Sequence, residues 1–299
     1  MPVNALHYSL PATNRKIGLL YGIETWNRWS LDAPTVALVW RFLLAQCAGV
    51  DSPRYAPILL ALGTWIVYVA DRILDGLGDR PAQKLQERHY FYARHRITFG
   101  VLLCCAGLLC GVLIIERMRR DIFEAYAVLG SLVLLYFFLI HGKRNSAERW
   151  LPKEMFVGFL FAAATALPIW MRVNERSREL EISIALFAAV CWLNCIAIER
   201  WENPVAAAGP QRTWRAHVST RWLGRHLTGM STLVAAVSFG CWLSWTSPYE
   251  NVALACCLSS ILFSALHALR GQIGARWLRV AADVSLLTPV LLMPWIPAR

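Results

Sequence analysis

The stretch Trp65-Ile-Val-Tyr-Val-Ala-Asp-Arg-Ile-Leu-Asp-Gly76 is an apolar run that ends in two aspartates four residues apart. On a helix, Asp71 and Asp75 lie on one face a turn apart, and Asp79 continues the row if the helix persists. Carboxylates stacked where an apolar helix meets water suit hard divalent cations. Mg²⁺ in particular binds through one or two carboxylates plus substrate phosphates. The plainer alternative is a solvated helix end in which Asp71, Arg72, Asp75, Asp79 and Arg80 neutralise one another.

The rest of the chain sets this segment in a membrane. Its 299 residues are 57% hydrophobic and only 16% charged, below the roughly 25% usual for soluble proteins. Nine stretches approach the ~20 residues that cross a bilayer as a helix: 34–50, 55–72, 97–115, 122–141, 154–171, 181–198, 228–247, 251–268 and 278–297. The first is the weakest, because Arg41 and Gln46 interrupt it. The loops are short. The expected fold is therefore all-α, a polytopic bundle of about nine transmembrane helices, with a cytoplasmic or interfacial segment at 1–33 and one helical domain at 34–299. No cleavable signal peptide is expected in the first 30 residues. Trp26 and Trp29, flanking Arg28, read as an interfacial approach to the first span. The nine cysteines fall inside the spans and lack zinc-finger spacing, so they read as small core residues.

The net charge of +11 invites a nucleic-acid partner, but its distribution argues against one. With nine spans, the amino terminus and the loops after spans 2, 4, 6 and 8 share one side and carry 21 of the 30 Lys and Arg. The opposite side carries 8. That asymmetry is the positive-inside pattern, which puts the 21 on the cytoplasmic side. Basic residues then report topology first, and anionic lipid or substrate second.

A second acidic exit follows span 6 in Trp192-Leu-Asn-Cys-Ile-Ala-Ile-Glu-Arg-Trp-Glu-Asn-Pro204. Glu199, Glu202 and Asn203 can share a helical face, with Asn194 about one turn deeper. Ionisable groups at membrane depth are costly and are usually functional, although Glu199 and Arg200 could form a local ion pair. The loop after span 4 begins His141-Gly-Lys-Arg144 and ends Pro152-Lys-Glu154. Lys143 and Arg144 can hold diphosphate oxygens, Arg by a planar fork and Lys as a point charge, or can be ordinary positive-inside residues. Asp283, one turn after Arg279, reads as half of a structural ion pair, and His267 as a hydrogen-bonded core residue.

Together these residues resemble the UbiA superfamily of intramembrane prenyltransferases. The local match is Tyr68-Val-Ala-Asp-Arg-Ile-Leu-Asp-Gly76, which looks like the family's first aspartate-rich motif. Nine helices, acidic motifs after helices 2 and 6, and a basic pair after helix 4 also fit. The resemblance implies a UbiA-like bundle in which Mg²⁺ ions held by Asp71, Asp75, Glu199 and Glu202 bind an isoprenoid diphosphate and draw off its leaving group. It also makes Arg72, Lys143, Arg144, Asn194 and Asn203 the candidate substrate contacts. A hydrophobic acceptor, aromatic or lipid-like, would then attack the allylic cation. The chain departs from the pattern at Val67 and Tyr68, where the family has Asn and usually Asp, and in carrying Glu199 and Glu202 where it has an Asp pair. Those departures keep three alternatives open: an intramembrane terpene cyclase of the same fold, a non-catalytic lipid-binding or assembly protein that retains the scaffold, and a transporter using Asp283 and Glu199. The location expected is an integral one, in a bacterial inner membrane, with the N-terminus and both acidic motifs on the cytoplasmic side.

Overall fold

The computed structural model describes residues 22–77, 91–92, 94–142, 152–202 and 216–295, apart from the side chains at 75–77, 141–142 and 295. Among the described residues the chain is helical throughout, without strands. A helical stretch at 22–28 leads into α1 (Asp32–Cys47), α2 (Tyr55–Leu77), α3 (Arg96–Arg117), α4 (Arg120–Gly142), α5 (Lys153–Trp170) and α6 (Arg178–Glu202). A short α7 (Val218–Arg225) precedes α8 (Leu227–Ser244), α9 (Glu250–Ala268), α10 (Ala275–Ser285) and α11 (Pro289–Leu292). Seven of these, α2 to α6 with α8 and α9, are long and apolar enough to cross a membrane, as an integral membrane protein requires.

The two expected spans that fall outside the seven do so for physical reasons. α1 has only 16 residues, and it buries Arg41 completely. The last apolar stretch is broken, not continuous. Pro289 has no N–H to offer the carbonyl of Ser285, so the helix cannot run through it. The freed carbonyl accepts from Ser259 Oγ at 2.8 Å, and that of Leu286 accepts from Trp40 Nε1 at 2.7 Å. Thr288 Oγ1 donates to Ala255 O at 2.9 Å. Neighbouring groups thus satisfy the backbone that the break frees.

α6 is the central element: 56% of its most apolar window is buried inside the protein, against 6% for α4. It packs on α5, α8, α9 and α10. Its closest approach is to α5, where Gly158, Ala162 and Ala166 form a buried stripe at four-residue spacing. A Cβ on Gly158 would lie 2.7 Å from both Cα and N of Trp192. Small residues let helix backbones meet where lipid supplies no hydrophobic drive. Trp40 of α1 stacks on Phe187 of α6 at 4.3 Å and closes the core on the other side. α3 packs on α2 and α4 mainly on α5, and the outward surfaces of both are strongly apolar, with Ile115 86% and Leu134 70% exposed. Tyr126 of α4 donates to Ala164 O of α5 at 2.9 Å.

Candidate functional site

The C-terminal ends of α2 and α6 and the N-terminal ends of α1 and α5 surround one cavity of about 210 Å³. Six carboxyl groups line it: Asp32, Asp71, Glu154, Glu199, Glu202 and Asp283. Lys153 and Arg279 are the lining cations. The rest of the wall is largely apolar, with Val36, Ile140, Val157, Phe161, Ile198 and Leu286. Tyr68 and Tyr136 also face it, and Tyr68 meets Phe161 edge-on at 6.4 Å.

Each acidic side chain reaches the cavity from a helix terminus. Asp71 lies in the last two turns of α2, and Glu199 and Glu202 lie in the last turn of α6. Glu199 Oε2 is 3.8 Å from Lys153 Nζ, and Glu202 Oε1 accepts from Arg279 Nη1 at 2.9 Å. Lys153 also lies 3.9 Å from Glu154, whose Oε2 accepts from Thr220 of α7 at 2.6 Å. Glu154 is 4% exposed, so this bond anchors α7 against the start of α5.

A second, drier polar group forms where the helical stretch at 22–28 meets α1, α2, α6 and α10. Asn27 Nδ2 donates to Asp32 Oδ2 at 2.8 Å and to Asp283 Oδ2 at 3.2 Å. Asn194 Nδ2 donates to Asp283 Oδ1 at 3.3 Å. Arg72 is buried, and donates to Asn27 O at 2.9 Å and to Asp32 Oδ2 at 3.4 Å. Tyr92 lies under the Arg72 guanidinium, 5.9 Å from ring centroid to carbon. Ser30 Oγ and Tyr92 Oη are hydrogen-bonded at 2.6 Å.

Of the residues singled out in the sequence, Asp71, Asn194, Glu199, Glu202 and Asp283 meet at the cavity. Arg72 does not line it. It turns back towards Asp32, and so supports the site from behind. Asp75 lies within α2, but its side chain is outside the described residues, as are Lys143, Arg144 and Asn203. The ion pair expected between Arg279 and Asp283 gives way to a different arrangement: Arg279 reaches Glu202, and Asp283 is held by two amides. His267 is the core residue expected, accepting from Trp201 Nε1 at 3.1 Å. Sequence reading missed Asn27 and Asp32. Asp283 is 256 residues from Asn27, and no local spacing signals such a contact.

The donor set suits Mg²⁺ in chemistry. All the lining acids offer hard oxygen, and six carboxyl groups against two lining cations leave an excess of acid that calls for protons or added cations. Among the described residues no group of three or more His, Cys, Asp or Glu could hold an ion unaided. An ion here would therefore rest on one or two carboxylates and take its remaining oxygens from water or a phosphate. Comparison of the chain with protein-family models, with curated proteins and with solved structures finds no match.

Proposed function

We propose that the protein transfers a prenyl group from an isoprenoid diphosphate to a hydrophobic acceptor inside the membrane, with Mg²⁺, and that its bundle is a divergent UbiA-type fold of nine membrane-crossing segments. The observation that carries this reading is the meeting of Asp71 with Glu199 and Glu202 at one cavity, from the same ends of α2 and α6, beside apolar lining. A diphosphate with a long apolar tail matches that division of polar and apolar lining. α1 and the broken α10–α11 segment are the two crossings added to the seven long helices.

Asp71, Glu199 and Glu202, with Asp75 four residues after Asp71, would hold Mg²⁺, which when bound supplies positive charge to the departing diphosphate. Lys153 and Arg279 are engaged with Glu199 and Glu202. Exchanging those carboxylates for diphosphate oxygens would bring two cations onto the leaving group as charge develops there. Tyr68, Phe161 and Tyr136 offer ring faces to the allylic cation. The apolar wall keeps water from quenching that cation early.

The test is diphosphate release from geranyl, farnesyl and geranylgeranyl diphosphates by the purified protein, beside an Asp71→Ala/Glu199→Ala double variant. Release that requires Mg²⁺ and is lost in the variant is the expected result. A cyclic hydrocarbon formed without acceptor would reassign the chain as a cyclase. Absence of release with every donor, with membrane extract supplied as acceptor source, would leave the non-catalytic lipid-binding scaffold.

A further inference from the structure

Asp32 and Asp283 have no place in the leaving-group chemistry, yet they are the most enclosed acids on the cavity wall apart from Glu154, at 3% and 8% exposure. Their Oδ2 atoms share one donor, Asn27 Nδ2, and the two carboxyl groups are within hydrogen-bonding reach of each other. Asp32 Oδ1 is buried and has no hydrogen-bond partner. A buried acceptor left unmet is costly, and two like charges this close cannot readily both persist away from water. The groups that face the pair are Arg72 and Tyr68 from α2 and Cys195 from α6. Arg72 is the one cation bonded to either carboxyl among the described residues. Two ionised carboxylates against one guanidinium would leave the group with a net negative charge. One proton between them removes that charge.

We propose that Asp32 and Asp283 form a carboxyl pair sharing one proton, and that this pair takes up the proton that the acceptor loses when it is prenylated. The role rests on the transferase reading, but the shared proton does not. In the balanced step, the C–O bond to the diphosphate breaks and its electron pair leaves with the diphosphate. An electron pair of the acceptor forms the new bond to the allylic carbon. The acceptor's C–H or O–H proton passes to the ionised member of the pair, leaving both carboxyls protonated until water at the cavity mouth takes one proton. Both residues line the same cavity as Asp71 and Glu199, so the pair faces the space in which donor and acceptor would meet. Asn194 and Asn27 fix the pair's orientation, and Arg72 offsets its remaining charge. Such proton-sharing carboxyl pairs serve general acid–base chemistry elsewhere.

Two measurements on the full chain test this. The first is infrared spectroscopy in lipid with isotopically labelled aspartate, which reads the carbonyl stretch of a protonated carboxyl. The stretch is expected in the wild type and is expected to be lost in Asp283→Asn, and an unchanged band would overturn the pair. The second uses radiolabelled farnesyl diphosphate with detergent extract of the host membrane as acceptor source. In Asp283→Asn and Asp32→Asn, label entering an acceptor product is expected to fall at least about 100-fold more than diphosphate release does. A parallel fall in both readouts would overturn the proton-accepting role. No release by the wild type would defeat the transferase reading, and the infrared result would then decide the pair by itself.

Discussion

Residue by residue, the site is an arrangement of acids whose partners differ more than their chemistry. Glu199 and Glu202 face cations, whereas Asp283 accepts from the neutral amides of Asn27 and Asn194. Replacing Lys153 by Met should therefore weaken diphosphate binding without unfolding the chain, because the ion pairs it makes are long and partly solvated. We expect KM for the diphosphate donor to rise roughly tenfold, read by steady-state kinetics, as for the loss of one charge-assisted contact worth about 1.5 kcal/mol. An unchanged KM would remove Lys153 from the binding machinery. Arg41 presents the opposite case. It is fully buried in α1, and its Nε and Nη2 have no hydrogen-bond partner. Its guanidinium carbon lies 5.5 Å from the centroid of the Phe42 ring. Arg41→Met keeps the side chain's length and removes the uncompensated charge, so it should raise the melting temperature in detergent. A lower melting temperature would mean that Arg41 has a partner the helices do not supply. The acids at 71, 199 and 202 were legible in the sequence because each ends an apolar run. Asp32 and Asn27 were not, because their meaning comes from partners distant along the chain.

Among the elements, the contact between α5 and α6 carries the tightest geometry. Gly158→Ala would push a methyl group into the Trp192 backbone, which cannot rotate away as a side chain could. We expect a loss of about 1–3 kcal/mol, read as a lower midpoint of unfolding in detergent with denaturant. The cavity should also distort, since Gly158 lines it. At the break between α10 and α11, Ser259→Ala would strip the Ser285 carbonyl of its donor. The expected cost is about 0.6 kcal/mol and no more than about 1.7 kcal/mol, the average and maximum for hydrogen bonds between membrane helices. No change in midpoint would mean that another group satisfies that carbonyl. The long helices were readable from hydropathy alone, as was their order. The shortness of α1 and the break in the last apolar stretch were not read from it, although Pro289 stands in the sequence as the cause. A hydropathy window averages over a proline and cannot register the carbonyl that it orphans. The Arg279–Asp283 pair failed for a related reason: four-residue spacing permits the contact, but the facing helix decides it, and α6 presents Glu202 to one residue and Asn194 to the other.

For the molecule as a whole, the distribution of Lys and Arg predicts orientation. In a chain freed of native cysteines, Arg119→Cys should react with a membrane-impermeant maleimide in intact cells. Arg270→Cys should react only after permeabilisation. Both sites are exposed, so burial does not confound the comparison. Reversal of the two patterns would put the cavity on the other face and require a different source for its diphosphate donor. The molecule also has two mechanical parts. Its core is α1, α5, α6, α8, α9 and α10, bound by stacked rings and close backbones, while α4 touches the rest chiefly along α5. Tyr136 and Ile140, which close one side of the cavity, belong to α4. The surrounding acyl chains therefore share in setting how far this wall stands from the core. A helix whose apolar length differs from the local hydrocarbon thickness tilts to match it, and a tilt of α4 would widen or narrow the cavity while the core stays still. Lipid chain length thereby becomes a variable of the site itself, as much as any residue that lines it.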